Sequence, residues 1–325
     1  MANPRATRAG RATRLAIVSG SAGAALADAV ARAIGADAAG CEIVRFPDGE
    51  CRVRILDSLR GDDVYVLQPT SPPVDANLME LLLLGDACRR AGAARLTAVI
   101  PYLGYARQDR RATGREPVGA RLVADLLETG GFGRVVALDL HSAALEGFFG
   151  PPLEHLTAVP LLAEALRRSP LGGSGVVVAP DLGAAKLADR FGRLLDMPVA
   201  IVHKSRLSGR EVSTHGVTGN VEGRQPVIVD DMISTGGTIE AAARALAAAG
   251  SLPVAAVAAT HGLFVDEAAE RLGAVGPRRL IVTDTVPVPE GLGLPIEVVN
   301  VAPLLGRAIQ HLNENRSLAD LLAHV

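Results

Sequence analysis

A segment that runs from an apolar strand through a small-residue loop into a helix constrains this chain most strongly. Residues 227–238 read VIVDDMISTGGT, so a β-branched run meets two carboxylates, Asp230 and Asp231, and then a loop. The backbone N–H groups and dipole of the following helix N-terminus can bind a phosphate. A simple βα turn with a capping hydroxyl is the alternative, but it explains neither carboxylate. The segment therefore predicts a site for a phosphorylated sugar.

Short β-branched runs alternate with Ala- and Leu-rich amphipathic stretches along the rest of the chain. This alternation is typical of βαβ units, in which helices cover a parallel sheet. Gly-Pro-Pro at 150–152 interrupts the pattern, and the strands on either side follow a similar order. We predict an α/β fold with two tandem domains, each a mostly parallel sheet flanked by helices. The predicted divisions are a disordered basic tail at 1–13 and domains at 14–155 and 156–325.

Composition narrows the class of protein. Hydrophobic residues make up 49% and charged residues 21% of the 325 residues, which fits a packed globular protein. The net charge of −2 gives no electrostatic reason to expect a nucleic-acid partner. No apolar run has the length of a membrane span, so we expect no membrane partner. The three cysteines have no metal or disulfide spacing, so we expect inert thiols and a cytoplasmic location.

Two strand ends carry groups that suit a metal ion. The segment ALDLHS at 137–142 closes an apolar run with Asp139 and His141, which point to the same side of a strand. The segment APDLG supplies Asp181 from a second strand end. An isolated histidine at a strand end is more often structural. A histidine and a carboxylate from different strands, however, suit Mg²⁺, which takes few protein ligands and keeps waters or phosphate oxygens.

Two basic loops offer groups for a phosphate ligand. Lys204 and Arg206 follow an apolar strand, where they are either solvated or able to neutralise charge during phosphoryl transfer. Arg107 and Gln108 follow another strand and offer donors to phosphate and to a base, although an ordinary surface loop is equally consistent. The segment FPDGE at 46–50 reads locally as a turn before a strand.

Five segments follow one another in an order that is jointly specific. They are FPDGE, TSPPVDANLMELLLLGDACRRAGAARLTAVIPYLGYARQDR, ALDLHS, HKSR and VDDMISTGGT. Together they resemble the ribose-phosphate diphosphokinase family, the phosphoribosyl pyrophosphate (PRPP) synthetases, over nearly the whole chain from about Leu15. The last segment resembles the ribose-phosphate loop of the phosphoribosyltransferase fold.

The resemblance implies an activity, a cofactor and partners. It implies two phosphoribosyltransferase-like domains, the second carrying the ribose-phosphate loop. The implied reaction transfers the β,γ-diphosphate of ATP to the C1 hydroxyl of ribose 5-phosphate and gives PRPP and AMP, with Mg²⁺ as cofactor. The implied assembly is a homo-oligomer, usually a hexamer, in which neighbouring subunits share the ATP site.

Residue roles also follow from the resemblance. The ribose 5-phosphate site is implied to contain Asp230, Asp231, Ser234, Thr235, Gly236, Gly237 and Thr238. The nucleotide contacts are implied to be Phe46, Asp48, Glu50, Arg107 and Gln108, the first three reaching ATP on a neighbouring subunit. The implied metal ligands are His141 and Asp181, and the implied catalytic cations are Lys204 and Arg206.

Some positions depart from the family pattern. Ser234 stands where the common loop has Asp, and Ala184 stands where the family usually has Gly. Residues 111–114 and 317–319 differ in regions that many members link to control by ADP and phosphate, so the resemblance implies catalysis but not this regulation.

Three other functions compete with the diphosphokinase. A noncatalytic regulatory subunit of the same family is expected to lose its cations or metal ligands, which this chain keeps. A PRPP-using phosphoribosyltransferase needs one such domain and no FPDGE segment. A PRPP-sensing transcription regulator needs a DNA-binding module, and the sequence shows no basic module or helix pair of that kind.

Overall fold

The computed structural model describes residues 14–36, 38–168, 174–206 and 212–323, and at 204–206 and 212–215 it describes the backbone alone. The predicted tail at 1–13 lies outside this part of the chain. The first half contains β1 (Leu15–Ser19), α1 (Ala24–Ile34), β2 (Cys41–Arg45), β3 (Cys51–Ile55), β4 (Asp63–Leu67), α2 (Val74–Arg90), β5 (Arg95–Ile100), α3 (Gly119–Thr129), β6 (Arg134–Leu138) and β7 (Leu153–Leu156).

The second half has a similar alternation of strands and helices. It contains α4 (Val159–Arg167), β8 (Gly175–Ala179), α5 (Ala185–Leu195), β9 (Val199–Arg206), β10 (Val212–Thr218), β11 (Gln225–Ile233), α6 (Gly237–Ala248), β12 (Ala256–Gly262), α7 (Ala268–Val275), β13 (Arg279–Thr283), β14 (Ile296–Val299) and α8 (Ala302–Asn313). No described helix has the length and apolarity that crossing a membrane requires.

The first sheet has the strand order β1-β4-β5-β6-β7, and each neighbouring pair is parallel. Its central strands read as continuous apolar runs because helices cover both faces, and all of β4 is buried. Strands β2 and β3 form a separate antiparallel hairpin whose turn is the FPDGE segment. The carboxyl ends of the parallel strands share one edge, where ligand sites of α/β sheets usually form.

The second sheet has the order β10-β9-β8-β11-β12-β13-β14. Every neighbouring pair is parallel except β10 with β9, which is antiparallel. Helices α4 and α5 pack on one face around Leu162, Phe191 and Val229, while α6 and α7 enclose Ile239 and Leu272 on the other. The predicted α/β fold with two mostly parallel, helix-flanked sheets is confirmed.

The end of the chain returns to the first sheet. Leu305 and Ile309 of α8 pack in one core with Ile17 of β1 and Leu67 of β4. Gly306 permits the close approach of α8 to α1, because a Cβ there would lie 2.7 Å from Ile34 Cγ2. The division into domains at 14–155 and 156–325 stays a prediction. Helix α8 falls in the second of these ranges but packs on the first sheet.

Candidate active site

Most of the predicted site residues lie at the carboxyl ends of parallel strands. Asp139 and His141 follow β6, and Asp181 follows β8. Asp230 and Asp231 lie inside β11, since that strand continues to Ile233. The sequence pattern predicted an end at Asp230, but pairing with β12 continues to the end of β11 and keeps the strand extended.

His141 and Asp231 form a hydrogen bond between the two sheets. The distance between His141 Nδ1 and Asp231 Oδ2 is 2.6 Å. This bond raises the pKa of His141 above its ordinary value, against the opposing effect of burial. Burial alone would raise the pKa of Asp231, but the bond to His141 and its charge lower it. The pair is therefore favoured as imidazolium and carboxylate.

The pKa of Asp230 is shifted in the opposite direction from that of Asp231. Its burial, followed by the negative charge of Asp231, raises the pKa of Asp230 well above the usual carboxyl value. The negative charge of Asp181 adds to the effect. Asp181 also caps the 3₁₀ turn Leu182–Ala184 and accepts a hydrogen bond from Gly183 N at 2.9 Å. The site thus gathers carboxylates whose mutual repulsion a cation would relieve.

The loop between β11 and α6 presents a helix N-terminus beside these carboxylates. Gly236 takes a left-handed conformation with φ of 75° and precedes the first residue of α6, Gly237. The carbonyl of Ser234 accepts from Val265 N at 3.1 Å, and that of Thr235 accepts from Arg271 Nη1 at 3.3 Å. Both loop carbonyls thus accept hydrogen bonds from other parts of the protein. The N–H groups in the first turn of α6 have no partner within the helix.

Two polar residues at the end of β12, Thr260 and His261, belong to the same junction. Thr260 Oγ1 donates to Asp139 Oδ2 at 2.7 Å, and His261 Nε2 lies 3.3 Å from the carbonyl oxygen of Asp139. Neither was singled out from the sequence. The available signal was a polar Thr-His pair that closes an apolar strand, the same pattern that identified Asp139 and His141.

The structure describes the side chains of only some of the residues that were predicted in the two basic loops. Arg107 lies close enough to His141 for its positive charge to disfavour protonation of that imidazole. The neighbouring Gln108 accepts from Ala120 N through its backbone carbonyl at 3.2 Å. Lys204 and Arg206 belong to β9 by their backbone, and their side chains lie outside the described part of the chain.

The FPDGE segment is a turn, as its sequence predicts. Phe46 N donates to Glu50 O at 2.8 Å, and Glu50 N donates to Asp48 Oδ1 at 3.1 Å. Phe46 is 42% exposed, with the Arg52 guanidinium 5.8 Å from its ring centroid. The turn therefore presents an aromatic ring and carboxylates outward, away from any core.

Comparison with known proteins gives one consistent result. Residues 15–131 match the N-terminal domain of ribose phosphate pyrophosphokinase, and residues 157–280 match the phosphoribosyl transferase domain. The chain is 44% identical over 310 residues to a ribose-phosphate pyrophosphokinase of Gloeobacter violaceus, covering 95% of this chain and 93% of that protein. It is 45% identical over 311 residues to one from Synechococcus elongatus, with the same two coverages of 95% and 93%.

A solved structure agrees along the same length. The phosphoribosylpyrophosphate synthetase of Mycobacterium smegmatis superposes with a TM-score of 0.87 at 39% identity, covering 93% of this chain and all of that one. Sequence, domain order and fold therefore point to the same enzymes. The chain belongs to the ribose-phosphate pyrophosphokinase family.

Proposed function

We propose that this chain transfers the β,γ-diphosphate of ATP to the C1 hydroxyl of ribose 5-phosphate at the junction of its two sheets. One observation carries the proposal: His141 of the first sheet contacts Asp231 of the second, beside the loop that opens α6. This contact supports a shared site, with the nucleotide assigned to the first sheet and ribose 5-phosphate to the second. Family membership supports the activity itself.

Ribose 5-phosphate is assigned to the second sheet. The N–H groups of the loop that begins α6 suit its phosphate, and Asp230 and Asp231 suit its hydroxyls. The residues assigned to this site are Asp230, Asp231, Ser234, Thr235, Gly236, Gly237 and Thr238. The side-chain contact of Arg271 with Thr235 O supports the outer side of the loop.

Mg²⁺ fits the donor set at the junction. In the described part of the chain, no group of three or more His, Cys, Asp or Glu side chains could hold a metal ion alone. Mg²⁺ needs few protein ligands, because it keeps waters and takes substrate phosphate oxygens. We assign His141 and Asp181 as its protein ligands; His141 would bind the ion as the neutral imidazole, so metal binding would displace the imidazolium proton. When bound, the ion supplies positive charge to the phosphate oxygens.

The transfer needs alignment and charge neutralisation more than covalent chemistry. The C1 hydroxyl oxygen attacks the β-phosphorus and loses its proton to water, the bond from that phosphorus to the oxygen bridging it to the α-phosphate breaks, and AMP leaves. Lys204 and Arg206 are assigned to the charge that develops on the transferred group. Arg107 and Gln108 are assigned to ATP of the same subunit.

The assembly is part of the proposal. Phe46, Asp48 and Glu50 point outward on the hairpin turn. This position suits contact with ATP bound to a neighbouring subunit of a homo-oligomer, and we propose a hexamer.

We also place the enzyme in the cytoplasm, since its three cysteines are free.

Product analysis tests the activity. Purified protein is incubated with ATP, Mg²⁺ and ribose 5-phosphate, and the reaction is followed by ³¹P NMR. We expect AMP and a diphosphate linked to C1. Formation of ADP would instead indicate an ordinary kinase, and absence of turnover with and without added phosphate would favour a noncatalytic family member.

A further inference from the structure

Asp139 is held by partly buried hydrogen bonds from both halves of the chain. Its Oδ2 accepts from Thr260 Oγ1 at 2.7 Å and from Ala158 N at 2.9 Å. Its own backbone N–H donates to Leu156 O at 3.0 Å, and its carbonyl oxygen lies 3.3 Å from His261 Nε2. Thr260 and His261 are each 2% exposed. Asp139 thus joins the end of β6 to the end of β12 and to the start of α4.

The donors and acceptors around His261 have one consistent pattern. The carbonyl of Asp139 can only accept, so His261 Nε2 carries the proton in this contact. Burial lowers the pKa of His261, which favours the neutral ring. Its Nδ1 then accepts from Thr285 Oγ1 at 2.9 Å, while the ring packs edge-on against Tyr102 at 5.1 Å between centroids. The network is satisfied and has little freedom to shift.

Two contacts between the sheets lie at the same level. The register pairs Asp230 with Ala259 and Met232 with His261, so Asp231 and Thr260 stand side by side on β11 and β12. Asp139 bonds to Thr260, and His141, two residues further along, bonds to Asp231. The chain turns sharply between them, because Asp139 has a φ of 35°.

We propose that Asp139 and Thr260 form a positioning pair, which holds His141 against Asp231 and thereby sets the contribution of the first sheet to the ribose-phosphate site. The inference rests on the proposed function, which gives His141 and Asp231 their roles. Neither Asp139 nor Thr260 is assigned a contact with substrate. Their effect on turnover passes through His141.

A double-mutant cycle separates positioning from simple stabilisation. Thr260→Val removes the hydroxyl at nearly constant shape, and Thr260→Ser keeps it as the matched control. We expect Thr260→Val to lower kcat/KM by about 10- to 100-fold, because small misplacements of reacting groups have effects of this size. Thr260→Ser should restore most of the activity. Against His141→Ala, whose residual turnover is measured at high enzyme concentration, Thr260→Val should have little further effect. Equal losses in both backgrounds would overturn the proposal.

Crystal structures of the two variants test the same point without turnover. In Thr260→Val we expect His141 Nδ1 to move out of hydrogen-bond reach of Asp231, and in Thr260→Ser we expect the 2.6 Å contact to remain. A retained contact in Thr260→Val would contradict a positioning role. Failure of the wild type to form AMP would refute the proposed function, and the crystallographic comparison would still decide the structural role of the pair.

Discussion

His141 Nδ1 lies 2.6 Å from Asp231 Oδ2, and these residues are 90 positions apart in the chain. The contact joins the loop after β6 in the first sheet to β11 in the second. It therefore depends on how the two sheets are placed, which no local sequence pattern defines. The protonation of one residue also depends on that of the other.

Removing His141 should change how stability depends on pH. The pKa of His141 is raised in the folded state, so its contribution is complete below its unfolded value and is lost as pH rises through the folded value. The pKa of Asp231 is lowered, so its contribution is lost as pH falls below about 4. The stability difference between wild type and His141→Ala, from urea denaturation, should therefore be largest between about pH 4 and 6.5.

A second histidine variant controls for this result. Among the described residues, the partner of His203 Nε2 is a hydroxyl, Thr218 Oγ1 at 2.7 Å, and not a carboxylate. His203→Ala therefore removes a histidine without removing the contact between His141 and Asp231. A pH-independent difference for His141→Ala would contradict the ion pair.

Gly236 and Gly237 should respond differently to alanine. Gly236 has a φ of 75°, and its Cβ would lie 3.4 Å from Leu272 Cγ, so Gly236→Ala should lower the free energy of unfolding by about 1–2 kcal/mol. A Cβ at Gly237 would lie 3.2 Å from Arg271 Nη1 and 3.7 Å from Thr235 Oγ1, both side-chain atoms, so Gly237→Ala should cost less stability than Gly236→Ala. We also expect Gly236→Ala to raise KM for ribose 5-phosphate. Similar stabilities for both variants would argue against a required left-handed turn.

Glu80 should be important for stability although it lies outside the predicted site. It is fully buried and accepts from Ser21 N at 2.6 Å, Ser21 Oγ at 2.9 Å, Gln68 Nε2 at 2.9 Å and Arg45 Nη2 at 3.0 Å. Glu80→Ala leaves these donors unmatched and should cost about 3 kcal/mol in urea denaturation. Glu80→Gln keeps one acceptor oxygen and should lose less.

A kinetic effect should accompany the change at Glu80. Arg45 directly precedes the FPDGE turn, so loss of its partner should loosen that turn. We therefore expect Glu80→Gln to raise KM for ATP more than KM for ribose 5-phosphate. An equal effect on both constants would argue against a nucleotide role for the turn.

The cysteines should be unreactive at neutral pH. Burial raises the pKa of Cys41 to about 11 and that of Cys88 to about 12, and it also raises the pKa of Cys51. Thiolate is the reactive form, so a disulfide reagent at pH 7.5 should label native protein slowly and denatured protein at all three positions. Rapid labelling of native Cys88 would indicate local opening of the core in which α2 packs against the first sheet.

Lys204→Ala should separate binding from turnover. If Lys204 neutralises charge that develops during transfer, kcat should fall by roughly 10²–10⁴-fold while KM for ribose 5-phosphate changes little. Lys204→Arg keeps the charge and should recover part of the rate. A variant that raises KM and leaves kcat unchanged would place Lys204 in ground-state binding instead.

The sequence predicted those features that local patterns define. The run ending in Asp230 and Asp231 and the glycine loop identified a strand, a turn and a helix, and the structure contains β11 and α6 there. Strand β2 was not predicted, because CEIVR has two charged residues and lies on a half-exposed hairpin. Its pairing with β3 outweighs its weak apolar pattern.

Long-range packing was beyond the reach of sequence patterns. The apolar stripe of α8 fits either sheet equally well, so nothing local indicates that Leu305 packs beside Ile17. Likewise, the hydrogen bond between Thr260 and Asp139 spans 121 positions and depends on the meeting of two sheets. Site residues at strand ends were recognisable, whereas the contacts that hold them together were not.

The location of the site is tested most directly by a crystal structure with Mg²⁺, ribose 5-phosphate and α,β-methylene ATP, which cannot undergo the transfer. We predict the sugar phosphate on the N–H groups of residues 234–238 and the ribose hydroxyls on Asp230 and Asp231. We predict the β-phosphorus facing the C1 hydroxyl near His141. Binding of ribose 5-phosphate away from the end of β11 would contradict the account.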